Sequence, residues 1–333
     1  MAVTFRVEAG SWINLSSRMK FAPRFLPAAV LLALAPLAAQ AKIERNVEKS
    51  FTVQTGGSLR LETQGGEIRV ASGADGMVKI TARERIRASS DSEADDLLKK
   101  LDLNFDQTGN DVSASAKYER DSVGFHFGGW PPVSVDFFVT VPASFSADVH
   151  TSGGGITIGD LNGKVNARTS GGGIKLGKLG GTVDARTSGG SVSLDEARGA
   201  VTLHSSGGGI TVGRVLGSAE ISTSGGSIRI DSVQGAVQAK TSGGSVHAGI
   251  VGPLKEDCVL STSGGSVKVT VDKTAAFRLD ASTSGGVVDA EGITLTVEDS
   301  GHHSRGRLAG NVNGGGPLLK LHSSGGGIMV RAN

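Results

Sequence analysis

The motif Thr-Ser-Gly-Gly returns at a fixed interval through the second half of the chain, and this period constrains the fold more than any other feature. The serines before each glycine pair are 18 residues apart five times, then 21 residues apart twice, and finally 40 residues apart. They are Ser152, Ser170, Ser188, Ser206, Ser224, Ser242, Ser263, Ser284 and Ser324. A period of this size is typical of proteins built from stacked structural repeats.

Each repeat predicts two β-strands. The residues four and six positions after the serine are apolar in every repeat, as in Ile174 and Leu176. A second alternating pair follows further along the same repeat, as in Val183 and Ala185. Alternating apolar residues, many of them β-branched, favour strands with one buried face. The sequence therefore predicts an all-β fold, a parallel β-solenoid (β-helix) with coils of about 18 residues and two strands per coil.

The Thr-Ser-Gly-Gly motif itself is interpreted as a corner of the coil and needs no catalytic explanation. Its glycines are expected to adopt positive φ where the chain reverses. The alternation places Thr169, Thr187, Thr223 and Thr241 inward, where their hydroxyl groups are expected to form hydrogen bonds from coil to coil. A single coil cannot bury its apolar residues alone, so stability must come from stacking and the ends need caps.

Residues 1–41 have the features of a secretory signal peptide. Lys20 and Arg24 precede an apolar run at positions 28–39, and Ala39-Gln40-Ala41 gives a small-x-small cleavage pattern. Met19 is an alternative start that would leave a signal of ordinary length. The apolar run is too short to span a bilayer, and no later stretch approaches 18 apolar residues. The sequence therefore predicts an exported protein of the periplasm, the cell surface or the medium, without a transmembrane segment after cleavage.

The remaining chain divides into three segments. Residues 42–150 hold nine of the ten aromatic residues that follow the leader, a first coil at 51–70, and a β-rich cap with one short helix. The spacing of Ala94, Leu97 and Leu98 predicts that helix, with Ser92 and Asp95 as its capping box. Residues 101–106 and 112–118 predict a hairpin, and 78–87 and 133–141 predict further strands. Residues 151–290 form the regular solenoid, and 291–333 a polar loop and a closing coil.

Composition excludes several classes of protein. Glycine is abundant at 51 residues, but there is no Gly-X-Y triplet, which excludes collagen. Beyond residue 41 the chain has 30 basic and 31 acidic residues, so a general basic field for nucleic acid is absent. Cys258 is the only cysteine, so no intramolecular disulfide can form.

Taken together, these residues resemble a bacterial cell-envelope β-solenoid family of unknown function whose members are often labelled adhesins. The resemblance rests on the signal peptide, the entry segment VDFFVTVPASFSADVHTSGGGITI, the repeated SGG-x-[IV]-x-[LIV] and the helix EADDLLKKLDL before a hairpin. It covers nearly all of the mature chain. It implies a β-solenoid outside the cytoplasm and supplies no catalytic residues.

Two features are candidate ligand surfaces. Arg168, Arg186, His204 and Lys240 occupy the same outward position in different coils, and such a basic column could engage phosphates or uronates of a surface polymer. The alternative is that the acidic neighbouring column neutralises it. The second feature is a loop with Phe125, Phe127 and Trp130, which is either an aromatic sugar-binding loop or a plug over the first coil.

Other chemistry has weaker signals. A calcium-binding nine-residue repeat requires Asp at the position of Lys175, so the repeats do not predict calcium sites. The histidines lack the spacing of metal ligands, and only His302-His303, in a polar loop, could bind a metal loosely. Asp195 and Asp231 lie two coils apart, near the spacing of inverting glycosidases, but on a solvent-facing strand. We therefore expect a non-catalytic binding or adhesion module with no cofactor, whose partner is an unidentified envelope polymer or protein. The alternatives are a polysaccharide lyase or hydrolase and an envelope scaffold or regulatory protein.

Overall fold

The computed structural model describes residues 42–119, 131–296 and 305–333. The predicted signal peptide and most of the predicted polar loop at 299–307 lie outside these ranges. The N-terminal elements are β1 (Lys42–Thr52), β2 (Ser58–Thr63), β3 (Ile68–Gly73), β4 (Met77–Arg87), α1 (Asp91–Leu98), β5 (Leu101–Thr108), β6 (Asp111–Tyr118), β7 (Val133–Pro142) and β8 (Ser146–Thr151).

The later elements are all strands. They are β9 (Ile156–Ile158), β10 (Val165–Thr169), β11 (Ile174–Leu179), β12 (Val183–Thr187), β13 (Val192–Ala197), β14 (Val201–Ser205), β15 (Ile210–Val215), β16 (Ala219–Thr223), β17 (Ile228–Val233), β18 (Val237–Thr241), β19 (Val246–Ile250), β20 (Cys258–Thr262), β21 (Val267–Val271), β22 (Phe277–Thr283), β23 (Val288–Glu291), β24 (Leu295–Thr296), β25 (Arg307–Val312), β26 (Leu318–Ser323) and β27 (Ile328–Ala332).

The described strands form two long sheets that are parallel over most of their length. Sheet A has the order β1-β4-β7-β3-β9-β11-β13-β15-β17-β19-β21-β27-β23, and sheet B has the order β24-β25-β22-β26-β20-β18-β16-β14-β12-β10-β8-β2-β6-β5. In the regular part Val165 pairs with Val183 and Ile174 with Val192, so residues 18 positions apart are neighbours. The prediction of an all-β fold with stacked parallel strands and one short helix is confirmed.

The core follows the alternation of each strand. Ile174, Ile210 and Ile228 are each 1% exposed, as the sequence predicts. The inward residues of both sheets belong to one continuous apolar cluster that extends along the stack. Small residues such as Ala167 and Ala185 are fully buried in it, because two facing sheets about 10 Å apart leave little room between them.

Corner glycines serve a different purpose from the one predicted. In the described residues, positive φ occurs at glycines outside the Ser-Gly-Gly corners, for example Gly252 (φ 82°), so the prediction of positive φ at these corners is wrong. The corners instead require glycine because stacked backbones approach closely. A Cβ added at Gly190 would lie 2.3 Å from the carbonyl oxygen of Gly172, and one added at Gly181 would lie 2.5 Å from that of Gly163.

Buried hydroxyl groups connect the corners of successive coils. The Thr187 hydroxyl donates to the Gly172 carbonyl of the preceding coil at 2.7 Å and accepts from the Gly190 N–H of its own coil at 3.2 Å. Ser205 makes the equivalent bonds one coil further along. The predicted inward threonines therefore do bond from coil to coil, and their acceptors are glycine carbonyl groups. We call this series the hydroxyl ladder.

Both ends of the stack are interlocked. At the C-terminal end, β26 and β27 insert between the β20–β21 coil and the β22–β23 coil, so the last coil in the chain is not the last in the stack. At the N-terminal end, the early coil β2–β3 lies between the β8–β9 coil and the pair β6–β7. Antiparallel strands finish both sheets at the N-terminal end, where they are β1, β4 and β5. At the other end the antiparallel strands β25 and β24 finish sheet B, whereas sheet A ends with the parallel strand β23.

The N-terminal cap contains the predicted hairpin and helix. Strands β5 and β6 pair antiparallel around Gly109, which has φ 62°. The helix α1 is capped by Ser90, whose side chain accepts from the Glu93 N–H, and the Glu93 carboxylate accepts from the Ser89 N–H at 2.8 Å. The capping box predicted at Ser92 and Asp95 is thus two residues too late, because the helix already begins at Asp91.

Candidate functional site

The outward side chains of sheet B form columns that run from coil to coil. Strand registers place Arg168 beside Arg186, Arg186 beside His204, and His204 beside Ser222, which in turn lies beside Lys240. Neighbouring residues in such a column are about 4.8 Å apart along the stack. The structure thus brings together the four basic residues that the sequence period selected.

Acidic neighbours partly neutralise this column. The Asp184 carboxylate lies 2.9 Å from Arg186 Nε and 3.7 Å from Arg168 Nη2. The two arginine side chains remain about half exposed, at 51% and 49%. His204 Nδ1 lies 2.9 Å from Ser222 Oγ, while Lys240 has no ion pair among the residues that the structure describes. The column is therefore a mixed one in which basic groups outnumber their acidic partners.

The same column continues beyond the regular repeats. His150 and Glu62 precede Arg168 in register, and Ser261 and His322 follow Lys240. A shallow concavity of about 290 Å³ lies at the start of this extension, around His150 and Arg168. The period already places His322 in this column, two residues before Ser324, but its neighbours in the stack depend on the interlocked C-terminal end.

Sheet A carries a second outward column with a basic segment. Arg229, His247 and Lys268 are consecutive in register, beside a concavity of about 460 Å³. Burial, and then the charges of Lys268 and Arg229, lower the pKa of His247. The concavity lies where the repeat lengthens from 18 to 21 residues and where the register between β17 and β19 shifts. Asp231 pairs with Arg229 at 3.0 Å on the same face.

A half-buried aromatic ring lies on the outer face of sheet A near its N-terminal end. The guanidinium carbon of Arg83 is 4.4 Å from the centroid of the Phe138 ring, and that of Arg69 is 5.7 Å from it. Both distances are within the range of cation–π contacts. Sequence reasoning missed this cluster. The alternation in VSVDFFVTV already indicated that Phe137 and Phe138 lie on opposite faces of the sheet, with Phe137 buried and Phe138 on the outer face.

The remaining sequence candidates are scattered. Asp195 and Asp231 share an outward column with Gly213 between them, on strands β13, β15 and β17. Cys258 is buried, and burial raises the pKa of its thiol. Within residues 42–119, 131–296 and 305–333 no three His, Cys, Asp or Glu side chains are grouped to hold a metal ion. No helix in these ranges has the length and apolar character needed to cross a membrane.

Three predicted ligand residues cannot be placed. Phe125, Phe127 and Trp130 lie outside the described residues, as do His302 and His303. The aromatic loop therefore stays a prediction.

Comparison with known proteins found similarity only at the level of solved structures. No protein-family profile matches the chain, and no curated protein matches it. Among solved structures, a "putative lipid binding protein" from Parabacteroides distasonis is 13% identical with a TM-score of 0.46, over 86% of this chain and 96% of that one. A "putative adhesin" from the same organism is 12% identical (TM-score 0.43; 86% and 97%), and one from Bacteroides fragilis is 10% identical (TM-score 0.36; 86% and 97%).

Proposed function

We propose that the protein is a non-catalytic binding or adhesion module of the bacterial cell envelope, exported by its signal peptide. It presents the repetitive outer faces of its two-stranded, 18-residue coils to an extended partner. The observation that carries this proposal is the strand register, which places equivalent outward side chains of successive coils beside one another. A surface with this regular spacing suits a ligand that is itself extended and repetitive.

The sheet B column is the proposed contact surface for an anionic polymer. Arg186 donates to Asp184 at 2.9 Å and Arg168 lies 3.7 Å from the same carboxylate, so several guanidinium N–H groups of each remain free to donate to a ligand. Lys240 adds a further cation in the same column. Phosphates or uronates are the groups that such donors recognise. The predicted aromatic loop with Phe125, Phe127 and Trp130 is a second proposed contact for sugars.

A hydrolytic function is the less favoured alternative. It would need two carboxylates that converge on a substrate, and Asp195 and Asp231 are the best-placed pair. Asp231 is engaged with Arg229, and both acids are exposed on a sheet face rather than facing one another across a cleft. This arrangement supports surface presentation over catalysis.

Binding of the purified protein to an array of bacterial envelope glycans tests the proposal. We expect retention on anionic glycans that weakens as salt rises, since exposed charges are screened. The double variant Arg168→Gln/Arg186→Gln should lose most of this binding. Lys175→Gln combined with Arg214→Gln removes the same charge from sheet A and serves as control. If no glycan on the array binds, the proposal of a polymer partner is refuted. The partner would then be a protein, which cross-linking in envelope extracts would recover.

A further inference from the structure

A small basic concavity of about 240 Å³ lies at the N-terminal end of sheet A, away from the columns of the regular coils. Its lining includes Lys42, Arg85, Arg87, Ser134, Gly65 and Gly153. Three of these side chains are cations and one is a hydroxyl. The residues come from the antiparallel cap strands β1, β4 and β7 and from two chain corners, so the concavity exists only in the folded protein.

The strand register concentrates positive charge at this point. Lys42 lies directly opposite Arg87 in the antiparallel pair of β1 and β4, so the two side chains are on the same face. Like charges in directly opposite positions destabilise a sheet. Neither residue forms an ion pair within the part of the chain that the structure describes. An anion bound between them would relieve this repulsion.

Arg85 provides the strongest single indication of a ligand. Its Nη2 donates to Asp136 Oδ1 at 2.5 Å, and that nearly buried carboxylate also accepts from the Glu67 N–H at 2.8 Å. The Arg85 Nε–H is buried and has no hydrogen-bond partner among residues 42–119, 131–296 and 305–333. A buried donor without an acceptor is costly and rare in native structures. A rotation of the guanidinium group that turns this N–H toward the concavity would let an acceptor atom of a ligand satisfy it.

The acidic groups around the concavity, Asp136 and Glu44, offset only part of the charge of its three cations. Asp136 is committed to Arg85 and to a backbone N–H. Glu44 lies opposite Arg85 on β1, and it has no ion pair within the described residues. Ser134 lies opposite Arg85 on the other side, on β7. The arrangement therefore offers two guanidinium groups, one ammonium group and one hydroxyl group around a space sized for a small anion.

We propose that this concavity binds a phosphoryl group, either as a soluble phosphate or phosphate ester or as a lipid headgroup. Guanidinium groups match the geometry of phosphate oxygens and can donate two parallel hydrogen bonds to them. Three cations around one small space suit a dianion better than a single carboxylate. The site shares no residue with the sheet B column proposed above.

Isothermal titration calorimetry of the full-length protein with inorganic phosphate, at low ionic strength, measures binding of a soluble ligand. Co-sedimentation with phosphatidylcholine vesicles, with and without phosphatidic acid, measures binding to a lipid headgroup. The test variant is Arg87→Gln, which leaves the Arg85–Asp136 pair intact. The matched control is Lys79→Gln, which removes one positive charge from the same face of the same strand β4, outside the concavity. Circular dichroism confirms that both variants fold.

We expect Arg87→Gln to weaken binding at least tenfold and Lys79→Gln to change it less than twofold. Phosphate binding with this variant pattern identifies a soluble phosphate or phosphate ester. Binding only to vesicles that contain phosphatidic acid, with the same pattern, identifies a lipid headgroup. Absence of binding in both assays, or an equal loss in the two variants, overturns the proposal. The glycan-array result is unaffected by either variant, so the two proposals fail separately.

Discussion

Alanine in place of Gly172 tests whether close backbone approach is what the corners require. A Cβ at this position would lie 2.2 Å from the carbonyl oxygen of Gly154, 2.4 Å from its carbonyl carbon and 2.5 Å from the Gly155 nitrogen. Non-bonded carbon contacts are most favourable at about 3.5–4.0 Å. The two coils would therefore have to separate by roughly 1 Å at this corner, against a strand spacing of about 4.8 Å.

The expected loss of stability is about 3 kcal/mol or more. Overpacking a well-packed region costs about 1–3 kcal/mol, and each backbone hydrogen bond weakened by the separation contributes a further 0.5–1.5 kcal/mol, roughly. The Gly171 N–H to Ser152 carbonyl bond, at 3.1 Å, is the first that the separation would stretch. The rigid stack cannot relieve the contact locally because every coil is held from both sides.

Gly155→Ala is the matched control. Its Cβ would come no closer than 3.4 Å to any atom, the nearest being the Gly173 carbonyl oxygen, and its φ is not positive. Glycine-to-alanine changes at compatible positions stabilise by about 0.4–1 kcal/mol, because the unfolded chain loses freedom. Urea denaturation followed by circular dichroism should therefore separate the two variants by about 3–4 kcal/mol. Equal midpoints for Gly172→Ala and the unsubstituted protein would refute the reasoning.

Three further predictions concern single buried groups. Thr187→Val should lower the free energy of unfolding by about 1–3 kcal/mol, because it leaves the Gly172 carbonyl and the Gly190 N–H without their hydroxyl partner. Thr187→Ser should cost less than half as much in the same urea denaturation, and equal losses would exclude the hydroxyl as the cause. Burial raises the pKa of Glu84 above its ordinary value of 4.5, so the folded state binds this proton more tightly and stability falls as the pH rises through that raised pKa. Glu84→Gln should therefore stabilise the protein more at pH 7 than at pH 4, and denaturation at the two pH values would show a constant difference if the argument is wrong. The buried Cys258 thiol, whose pKa is raised by burial, should react with a thiol-specific reagent in denaturant far faster than in the native protein, whereas rapid native labelling would contradict its burial.

The regular coils could be predicted from the sequence because each one repeats the same physical solution. Ile174 and Val192 occupy equivalent positions in a fixed period. The alternation along each strand therefore determines that both are buried, and the 18-residue spacing determines that they pair. The 18-residue spacing likewise places Arg168 beside Arg186 in the outward column. Conformation at the corners could not be read in this way, because a glycine is compatible with positive φ and with close backbone approach alike.

The ends and the basic concavity could not be predicted for a different reason. Lys42, Arg85 and Ser134 are far apart in the chain and meet only through antiparallel pairing in the cap. No period relates them, and each is unremarkable in its own strand. The position of the coil formed by residues 318–332 depends on which strand edges are free when that segment arrives, and spacing along the chain contains no information on this.

The interlocked C-terminal end has a consequence for the biogenesis of the protein. The segment Leu318–Ala332 occupies a slot between two coils that are synthesised before it, and Asn333 is itself bonded to Val271. Truncating this segment would not give a shorter stack but one with an internal gap, and the outermost coil would lose its neighbour. The stack is therefore complete only when residues 318–332 are present. A chain that ends before Leu318 would leave one edge of each of the four strands β20, β21, β22 and β23 unpaired, and exposed strand edges favour aggregation.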